Sequence, residues 1–152
     1  MISVEISGMV DVARALSEMS RQAKNRAGRK ALITALTPIV EDARRRAPKY
    51  TGNLAASIGF RYRKFRTGNQ TAVIGPRKGF RDPATKRLAH KYAHLVEFGH
   101  VIASKKSARG RKGTAGGFVP AKPFIRPAFE AGRDRAVRDI ARVLGAEIEL
   151  TA

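Results

Sequence analysis

The stretch "SIGFRYRKFRTGNQTAVIGP", residues 57–76, decides the fold class of this chain. Its first half places Ile58, Phe60 and Tyr62 at every second position, with glycine and arginine between them. A period of two is typical of a half-exposed strand, because successive side chains of a strand point to opposite faces. The segment "TGN" then predicts a turn and "QTAVIGP" a second strand. We therefore expect an antiparallel hairpin over residues 57–75.

Helical patterns precede the hairpin. In "KALITALTPIVEDARRRAP", residues 30–48, apolar side chains recur at steps of three and four. Pro38 predicts a kink in this helix, because proline has no amide hydrogen to donate, and Pro48 and Gly52 predict its end. An earlier helix is expected over "VDVARALSEMS", with a bend near Gly28 between the two.

Helical patterns also follow the hairpin. "RLAHKYAHLVEFG", residues 87–99, predicts a short helix that stops at Gly99. "PFIRPAFEAGRDRAVRDIARVLG", residues 123–145, predicts a closing amphipathic helix whose apolar face includes Phe129, and "AEIEL" after it suggests a short strand. The predicted fold class is α+β: a small antiparallel sheet with a long N-terminal helical segment, a short middle helix and a C-terminal helix packed on it. One domain over residues 1–152 is expected.

The charge of the chain is strongly positive. Lys and Arg number 31 against 12 Asp and Glu, a formal net charge of +19, and the regions 1–59, 60–126 and 127–152 carry +5, +15 and −1. Such a field indicates an anionic partner or an acidic neighbour in an assembly, unless the charges are simply a solvated surface. The chain has no cysteine, which excludes disulfides and thiolate sites. No signal peptide and no apolar run of membrane-spanning length is evident, so a soluble, cytoplasmic protein is expected.

Much of this positive charge lies in a segment that consists mainly of basic and small residues. Residues 103–117, "ASKKSARGRKGTAGG", hold five basic residues, four glycines and no large apolar side chain. Such a composition cannot bury enough surface to order itself, so we expect a mobile basic loop. The candidates for contact with a partner or with DNA are the five basic residues of this loop and two of the hairpin: Lys105, Lys106, Arg109, Arg111, Lys112, Arg61 and Arg63.

The stretch "HKYAHLVEFGH", residues 90–100, raises the question of a metal site, since His90, His94 and Glu97 would share one face of a helix. The surrounding basic charge opposes a cation, and the order of residues is not the H-E-x-x-H of helical zinc proteases. Ordinary helix positions are therefore favoured, with Glu97 capping, bridging or facing a partner. We expect no metal, no cofactor and no catalysis, because the basic region offers too few carboxylates for a metal-dependent nuclease.

Three segments together resemble the tail-component family of long-tailed bacteriophages, also called neck, head–tail joining or tail-completion proteins. They are "RRRAPKYTGNLAASI", "YAHLVEFGH" and "AKPFIRPAF", in that order. The positions that fill the family's motifs and to which we assign structural roles are Pro48, Thr51, Gly52, Leu54, Tyr92, Gly99, Pro123, Phe124 and Pro127. Two departures stand out: His100 occupies a position that is often Thr, and the basic loop is longer than usual.

The resemblance implies a structural virion protein that forms a ring at the head–tail junction without catalysis. It implies a six- or twelve-fold homo-oligomer, other connector and tail proteins as partners, and a location in the neck or tail of the virion after assembly in the host cytoplasm. Contact with packaged DNA is open, and a membrane partner is not expected. The alternative from the residues alone is a basic DNA- or RNA-binding module, and a nuclease is the weakest reading.

Overall fold

The computed structural model describes residues 21–67, 69–82, 85–102 and 116–150. Within them the helices are α1 (Arg21–Arg46), α2 (Asn53–Ser57), α3 (Ala89–Phe98) and α4 (Ile125–Glu149). The strands are β1 (Ile58–Lys64), β2 (Gln70–Pro76), β3 (His100–Val101) and β4 (Phe118–Val119). The predicted α+β class is confirmed. The helix predicted over residues 10–20 lies outside the described residues.

The predicted hairpin is confirmed as the two-stranded sheet β1–β2. Near the turn the amide of Phe65 donates to the carbonyl oxygen of Asn69 at 2.9 Å, and at the open end the amide of Arg77 donates to the carbonyl of Ser57, also at 2.9 Å. These bonds join residues at mirrored positions of the two strands, as antiparallel pairing requires. The alternation seen in the sequence therefore corresponds to a strand, β1, that pairs as predicted.

The described residues form two compact units. The first is made from residues 21–39, 61–73 and 131–150, and the second from residues 40–60 and from 74 to 130. Several elements contribute residues to both units, so each unit is assembled from segments distant in sequence. The prediction of a single domain stays a prediction.

In the first unit, α1 buries small side chains. Ala27, Ala31 and Ala35 follow one another at steps of four and are all nearly inaccessible to solvent, which places them on one face of the helix. A Cβ atom added to Gly132 of α4 would lie 2.6 Å from Cγ1 of Ile39. The two helices therefore approach closely there, and Gly132 is required because a larger residue would have to displace Ile39.

Two expectations about the helices were wrong. A bend was predicted near Gly28, but α1 runs through that position, and a Cβ atom there would collide with the side chain of Gln70. The glycine makes room for Gln70, whose amide nitrogen donates to the carbonyl oxygen of Lys24 at 3.2 Å. A strand was predicted over residues 146–150, but α4 continues to Glu149, because Val143 and Glu147 extend its buried face by one more turn.

The second unit contains three elements whose pattern is too short to read in the sequence. Helix α2 has five residues, and β3 and β4 have two each, with His100 paired to Val119 and Val101 to Phe118 in an antiparallel ribbon. The core of this unit holds Phe124 and Ile58, both with no exposed surface, and Leu54. Phe129 was expected on the apolar face of α4, yet its side chain is 50% exposed.

No helix among the described residues is long and apolar enough to cross a membrane.

Candidate functional site

The centre of the second unit is a buried carboxylate, that of Glu97 near the end of α3. Its Oε2 atom accepts hydrogen bonds from the amides of Phe124 at 2.9 Å and Ile125 at 3.1 Å, and its Oε1 atom accepts one from the amide of Arg126 at 3.0 Å. These amides belong to the first turn of α4, where backbone donors have no partner within the helix. Glu97 is thus the N-terminal cap of α4, supplied from 27 residues earlier in the chain.

Pro127 completes this cap. A helix leaves its first four amides without an intrahelical acceptor, and in α4 these belong to residues 124–127. Glu97 accepts from the first three, and the fourth residue is proline, which has no amide hydrogen. Every backbone donor at this end is therefore satisfied or missing. The negative charge also lies at the positive end of the helix dipole, which adds to the stabilisation.

Gly99 joins α3 to the cap. Its φ of 72° lies in the left-handed region, which glycine adopts without strain. A Cβ atom at this position would come within 2.7 Å of the carbonyl oxygen of Val119 and 2.8 Å of the amide of Ala121. In addition, the amide of Lys122 donates to the carbonyl oxygen of Val96 at 2.8 Å. The segment before α4 therefore runs directly along the end of α3.

The first motif segment meets the second through polar side chains. The side-chain amide of Asn53 donates to the hydroxyl of Tyr92 at 3.1 Å, and Asn53 itself is buried. Gly52 precedes α2 with a φ of 71°, so this turn also requires glycine. The hydroxyl of Ser57 donates to the carbonyl oxygen of Leu54 at 2.7 Å. We call these joined segments, residues 47–58, 92–99 and 121–128, the three-motif framework.

Glu97 was also expected as a partner-facing residue, but its side chain is buried in the fold. The buried positions of α3 are Ala89, Ala93 and Glu97. Steps of four put these three on one face. The carboxylate is therefore occupied inside the fold, and the expectation that it caps a neighbouring element is confirmed. The signal in the sequence was the Pro-Phe-x-x-Pro pattern, which marks a helix start but does not say where its cap comes from.

The histidines near Glu97 do not gather around it as metal ligands. Within the described ranges, no group of three or more His, Asp or Glu side chains is placed to hold a metal ion. Oxygen atoms of Glu97 are used by three amides, and His94 is exposed. His100 lies near the carbonyl oxygen of Leu95, with its Nδ1 atom 3.4 Å away.

Arg61 and Arg63 are exposed on β1. Between them, Tyr62 points to the other face, where its hydroxyl donates to Oε1 of Gln70 at 3.0 Å and the guanidinium of Arg29 lies 5.9 Å from the ring centre. The predicted alternation of this strand is confirmed. The tyrosine is bonded within the first unit, whereas the two arginines are accessible, as is Lys64 at the end of the strand.

A second polar region of the second unit is a cleft of about 690 Å³, which we call the basic cleft. Its charged lining comprises Arg81, Lys86, Arg87, Lys91 and the buried carboxylate of Asp82. Its remaining lining is Pro48, Tyr50, Thr51, Leu54, Thr85, Leu88, Tyr92 and Val96. No feature of the sequence indicated this cleft, because its residues come from two separate stretches of the chain, 48–54 and 81–96.

Residues 103–115 lie outside the described residues, and with them all five basic residues proposed for the loop. The role proposed for Lys105, Lys106, Arg109, Arg111 and Lys112 stays a prediction.

Comparison with known proteins identifies one family. Residues 11–99 match the model of the family described as "Bacteriophage HK97-gp10, putative tail-component". The match covers the first two of the three motif segments. No curated protein and no solved structure matches the chain.

Proposed function

The chain belongs to the HK97-gp10-like family of bacteriophage tail components, since the family model matches more than half of its length, and we propose that it forms a homo-oligomeric ring at the junction of head and tail. A protein of this family is a structural component of the virion tail and works beside other tail proteins. The ring, its six- or twelve-fold symmetry, its place in the neck and its assembly in the host cytoplasm are our proposal.

The observation that carries this proposal is the apolar surface of the second unit. Val101 and Phe118, paired across the β3–β4 ribbon, are 71% and 69% exposed, and Phe98 at the end of α3 is 74% exposed. Phe98 and Phe129 also border a groove of about 480 Å³. Several large apolar side chains exposed in one unit indicate a surface that another protein covers. This supports a role in assembly rather than an independent monomer.

The polar groups of the framework support a role without catalysis. Glu97 and Asn53, which are buried, bind backbone or side-chain partners that hold the fold together. A catalytic acid or base needs access to a substrate, and the Glu97 carboxylate is occupied by three amides. The framework of this family member is thus built as a scaffold.

A closed ring needs two different surfaces on each subunit, because one face of a subunit meets another face of the next. The charge of the chain is unevenly divided, with +15 in residues 60–126 and −1 in residues 127–152. Such a division favours head-to-tail contact over contact between identical faces, which would bring like charges together.

Particle assembly tests the proposal. A phage that lacks this gene is expected to produce complete heads and complete tails that do not join, and the gene supplied in trans is expected to restore joined particles counted by electron microscopy. Image reconstruction of those particles is expected to place the chain as a ring at the junction. Joined particles in the absence of the gene, or density for the chain elsewhere in the tail, would contradict the proposed place.

The basic loop has a separate test. We propose that its five basic side chains meet an anionic surface at the junction, where opposite charges attract. Replacing Lys105, Lys106, Arg109, Arg111 and Lys112 with Ser is expected to leave folding intact and to lower the yield of joined particles. A normal yield would show that the loop charge has no role in assembly.

A DNA- or RNA-binding module is the second candidate, and the exposure of Arg61 and Arg63 favours it. Binding to phosphates releases counterions, so its affinity falls steeply as salt rises. Assembly through apolar side chains does not weaken in this way, because salt screens charges and leaves apolar burial intact. Ring formation by the purified protein, followed by light scattering over a range of salt concentrations, therefore separates the two functions.

A further inference from the structure

We propose that the basic cleft binds an acidic segment of another tail protein, and that a large apolar side chain of this segment is seated in the cleft. The inference rests on the proposed function only for the source of the partner. The cleft and its chemistry belong to this chain alone, so binding can be tested without assembling a particle.

The lining of the cleft explains the apolar part of the ligand. Leu54, Leu88 and Val96 contribute aliphatic side chains, and Tyr92 contributes an aromatic ring. None of these four is charged, and the Tyr92 hydroxyl is already bonded to Asn53. A concave site with an apolar lining and few polar groups is the usual form of a side-chain pocket. It gains free energy by removing an apolar group from water.

The charge around the lining explains the acidic part. Arg81, Lys86, Arg87 and Lys91 are all exposed, whereas the carboxylate of Asp82 is buried. One Asp82 oxygen accepts a hydrogen bond from the amide of Thr85 at 3.0 Å. The Asp82 carboxylate thus interacts with the backbone of its own turn, whereas the four positively charged side chains face solvent. A complementary ligand therefore carries carboxylates beside its apolar side chain.

Three of these cations, Arg81, Lys86 and Arg87, belong to a segment whose described residues are joined by backbone hydrogen bonds. Arg81 and Leu88 form an isolated antiparallel bridge at its base. Inside it the amide of Asp82 donates to the carbonyl oxygen of Arg87, and the amide of Lys86 donates to that of Asp82, each at 2.9 Å. These bonds hold the described residues that carry the cations, so a ligand loses less entropy in binding there than it would at residues without such bonds.

Tyr50 is the most exposed residue of the lining. Its side chain is fully exposed, although tyrosine usually buries much of its ring. Interfaces are enriched in tyrosine, because a rigid ring supplies contact area at little entropic cost and its hydroxyl stays hydrated. We therefore expect the ring of Tyr50 to contact a bound segment at one side of the cleft.

A second copy of this chain is a poor source for the acidic segment. The described ranges contain nine acidic residues: Glu41, Asp42, Asp82, Glu97, Glu130, Asp134, Asp139, Glu147 and Glu149. Three of them are buried, namely Asp82, Glu97 and Glu147. Four others, Asp42, Glu130, Asp134 and Asp139, already pair with arginines of the same chain. The described surface thus offers no acidic cluster to match four cations, which favours a different protein over the described surface of a second copy.

Nucleic acid also fits the cleft less well than a protein segment. Phosphates follow a repeating track, and single-stranded DNA needs several aromatic faces on which successive bases stack. The cleft is a single concavity, and its uncharged lining has only two aromatic rings, those of Tyr50 and Tyr92, beside four aliphatic residues and two threonines. Phosphates gain nothing from contact with the apolar lining, whereas an aliphatic or aromatic side chain of a protein segment can pack against it.

Selection from a random-peptide library on the purified protein tests the proposal. The unmodified chain is expected to enrich peptides in which Glu or Asp flanks a large apolar residue. The variant Arg87→Glu/Lys91→Glu is expected to lose that enrichment. The matched control is Arg61→Glu/Lys64→Glu, which exchanges one Arg and one Lys on the hairpin and changes the net charge equally. The control is expected to keep the enrichment.

Titration of one selected peptide then measures the effect. The cleft variant is expected to bind it about tenfold or more weakly than the unmodified chain, and Tyr50→Ala is expected to weaken it without loss of fold, because this ring is fully exposed. If the hairpin control lost as much affinity for the peptide as the cleft variant, the peptide would be attracted only by the net charge of the protein. Selection of acidic peptides without an apolar preference, or displacement of the peptide by single-stranded DNA at equal concentration, would also overturn the proposal. Failure here leaves the ring function untouched, since that function is measured by joined particles.

Discussion

The three-motif framework and the basic cleft lie in the same unit, but a charged side chain is buried in the framework and several are exposed around the cleft. In the framework, Glu97 is buried and its oxygens accept three backbone hydrogen bonds. Around the cleft, the charged side chains of Arg81, Arg87 and Lys91 are exposed. The residues by which the chain resembles its family are therefore mostly used to build the fold. The cations that can meet a partner lie outside those motifs, whereas part of the uncharged lining of the cleft, such as Tyr50 and Leu54, belongs to them.

This contrast explains why family resemblance predicts the fold better than the partner. Motif positions such as Gly99, Pro127 and Phe124 are required by the conformation of the backbone and by packing in the core. Exposed cations are free to change without loss of stability. Five kinds of substitution test the contrast, beginning with the largest expected effect.

Phe124→Ala should destabilise the fold most. The side chain has no exposed surface, and deleting a buried aromatic costs about 3–5 kcal/mol. Phe129→Ala is the control in the same helix, because that ring is 50% exposed, and its cost is expected to be much smaller. Urea unfolding measures both. Equal losses for the two variants would show that burial of Phe124 is not what stabilises the start of α4.

Glu97→Ala should cost about 3 kcal/mol, since it leaves amides of α4 without an acceptor in a region that water reaches poorly. Glu97→Gln keeps one oxygen acceptor and is expected to cost less. Glu130→Ala serves as control, because this glutamate is exposed and its pair with Arg126 lies at the surface, where such pairs contribute little. A Glu97→Ala protein as stable as the control would disprove the capping role.

Gly99→Ala should cost about 2 kcal/mol, because the left-handed conformation is strained for alanine and its Cβ atom would press on the backbone before α4. Gly75→Ala is a suitable comparison. Gly75 has no positive φ and no atom within 4 Å of an added Cβ, so its substitution is expected to be nearly neutral. Thermal unfolding distinguishes the two, and similar midpoints would argue against a tight junction at Gly99.

The ion pair between Lys30 and Glu147 is an intermediate case, with one exposed and one buried partner. The hydrogen bond from Lys30 lowers the pKa of Glu147 below its ordinary value of 4.5. A depressed folded-state pKa means that the pair stabilises the fold above about pH 4.5 and that this contribution is lost as pH falls through the folded value.

Lys30→Met is therefore expected to lower stability near neutral pH, and the difference from the unmodified chain should shrink in acid. Unfolding in urea at a series of pH values measures this, with Arg138→Met as an exposed control that should show no such convergence. A difference that stays constant into acid would show that Lys30 acts through packing of its stem instead.

Substitutions at the basic cleft should have the smallest effect on the fold. Tyr50→Ala and Arg87→Glu/Lys91→Glu alter exposed side chains, and such changes usually shift stability by no more than about 0.5 kcal/mol. The midpoint of urea unfolding is expected to stay near that of the unmodified chain. A marked loss would mean that these exposed side chains help to stabilise the fold, and the contrast between buried and exposed positions would disappear.

Some features of the molecule were determined by local sequence. The alternation of Ile58, Phe60 and Tyr62 predicted the hairpin, and the spacing of apolar residues predicted α3 and most of α1 and α4. These signals are local, because strand and helix periods are properties of neighbouring residues. The stop at Gly99 was equally readable, since its left-handed φ is a requirement that glycine meets by itself.

Only the tertiary structure decided the rest. Glu97 is a cap because α4 begins beside it, although the two are separated by 27 residues in the chain. The β3–β4 ribbon pairs strands of two residues each, too short for any period to appear. Gly28 and Gly132 serve close contacts with Gln70 and Ile39 that no local pattern announces. The basic cleft likewise exists only after distant stretches meet, because a concave surface is a property of packing and leaves no period in the sequence.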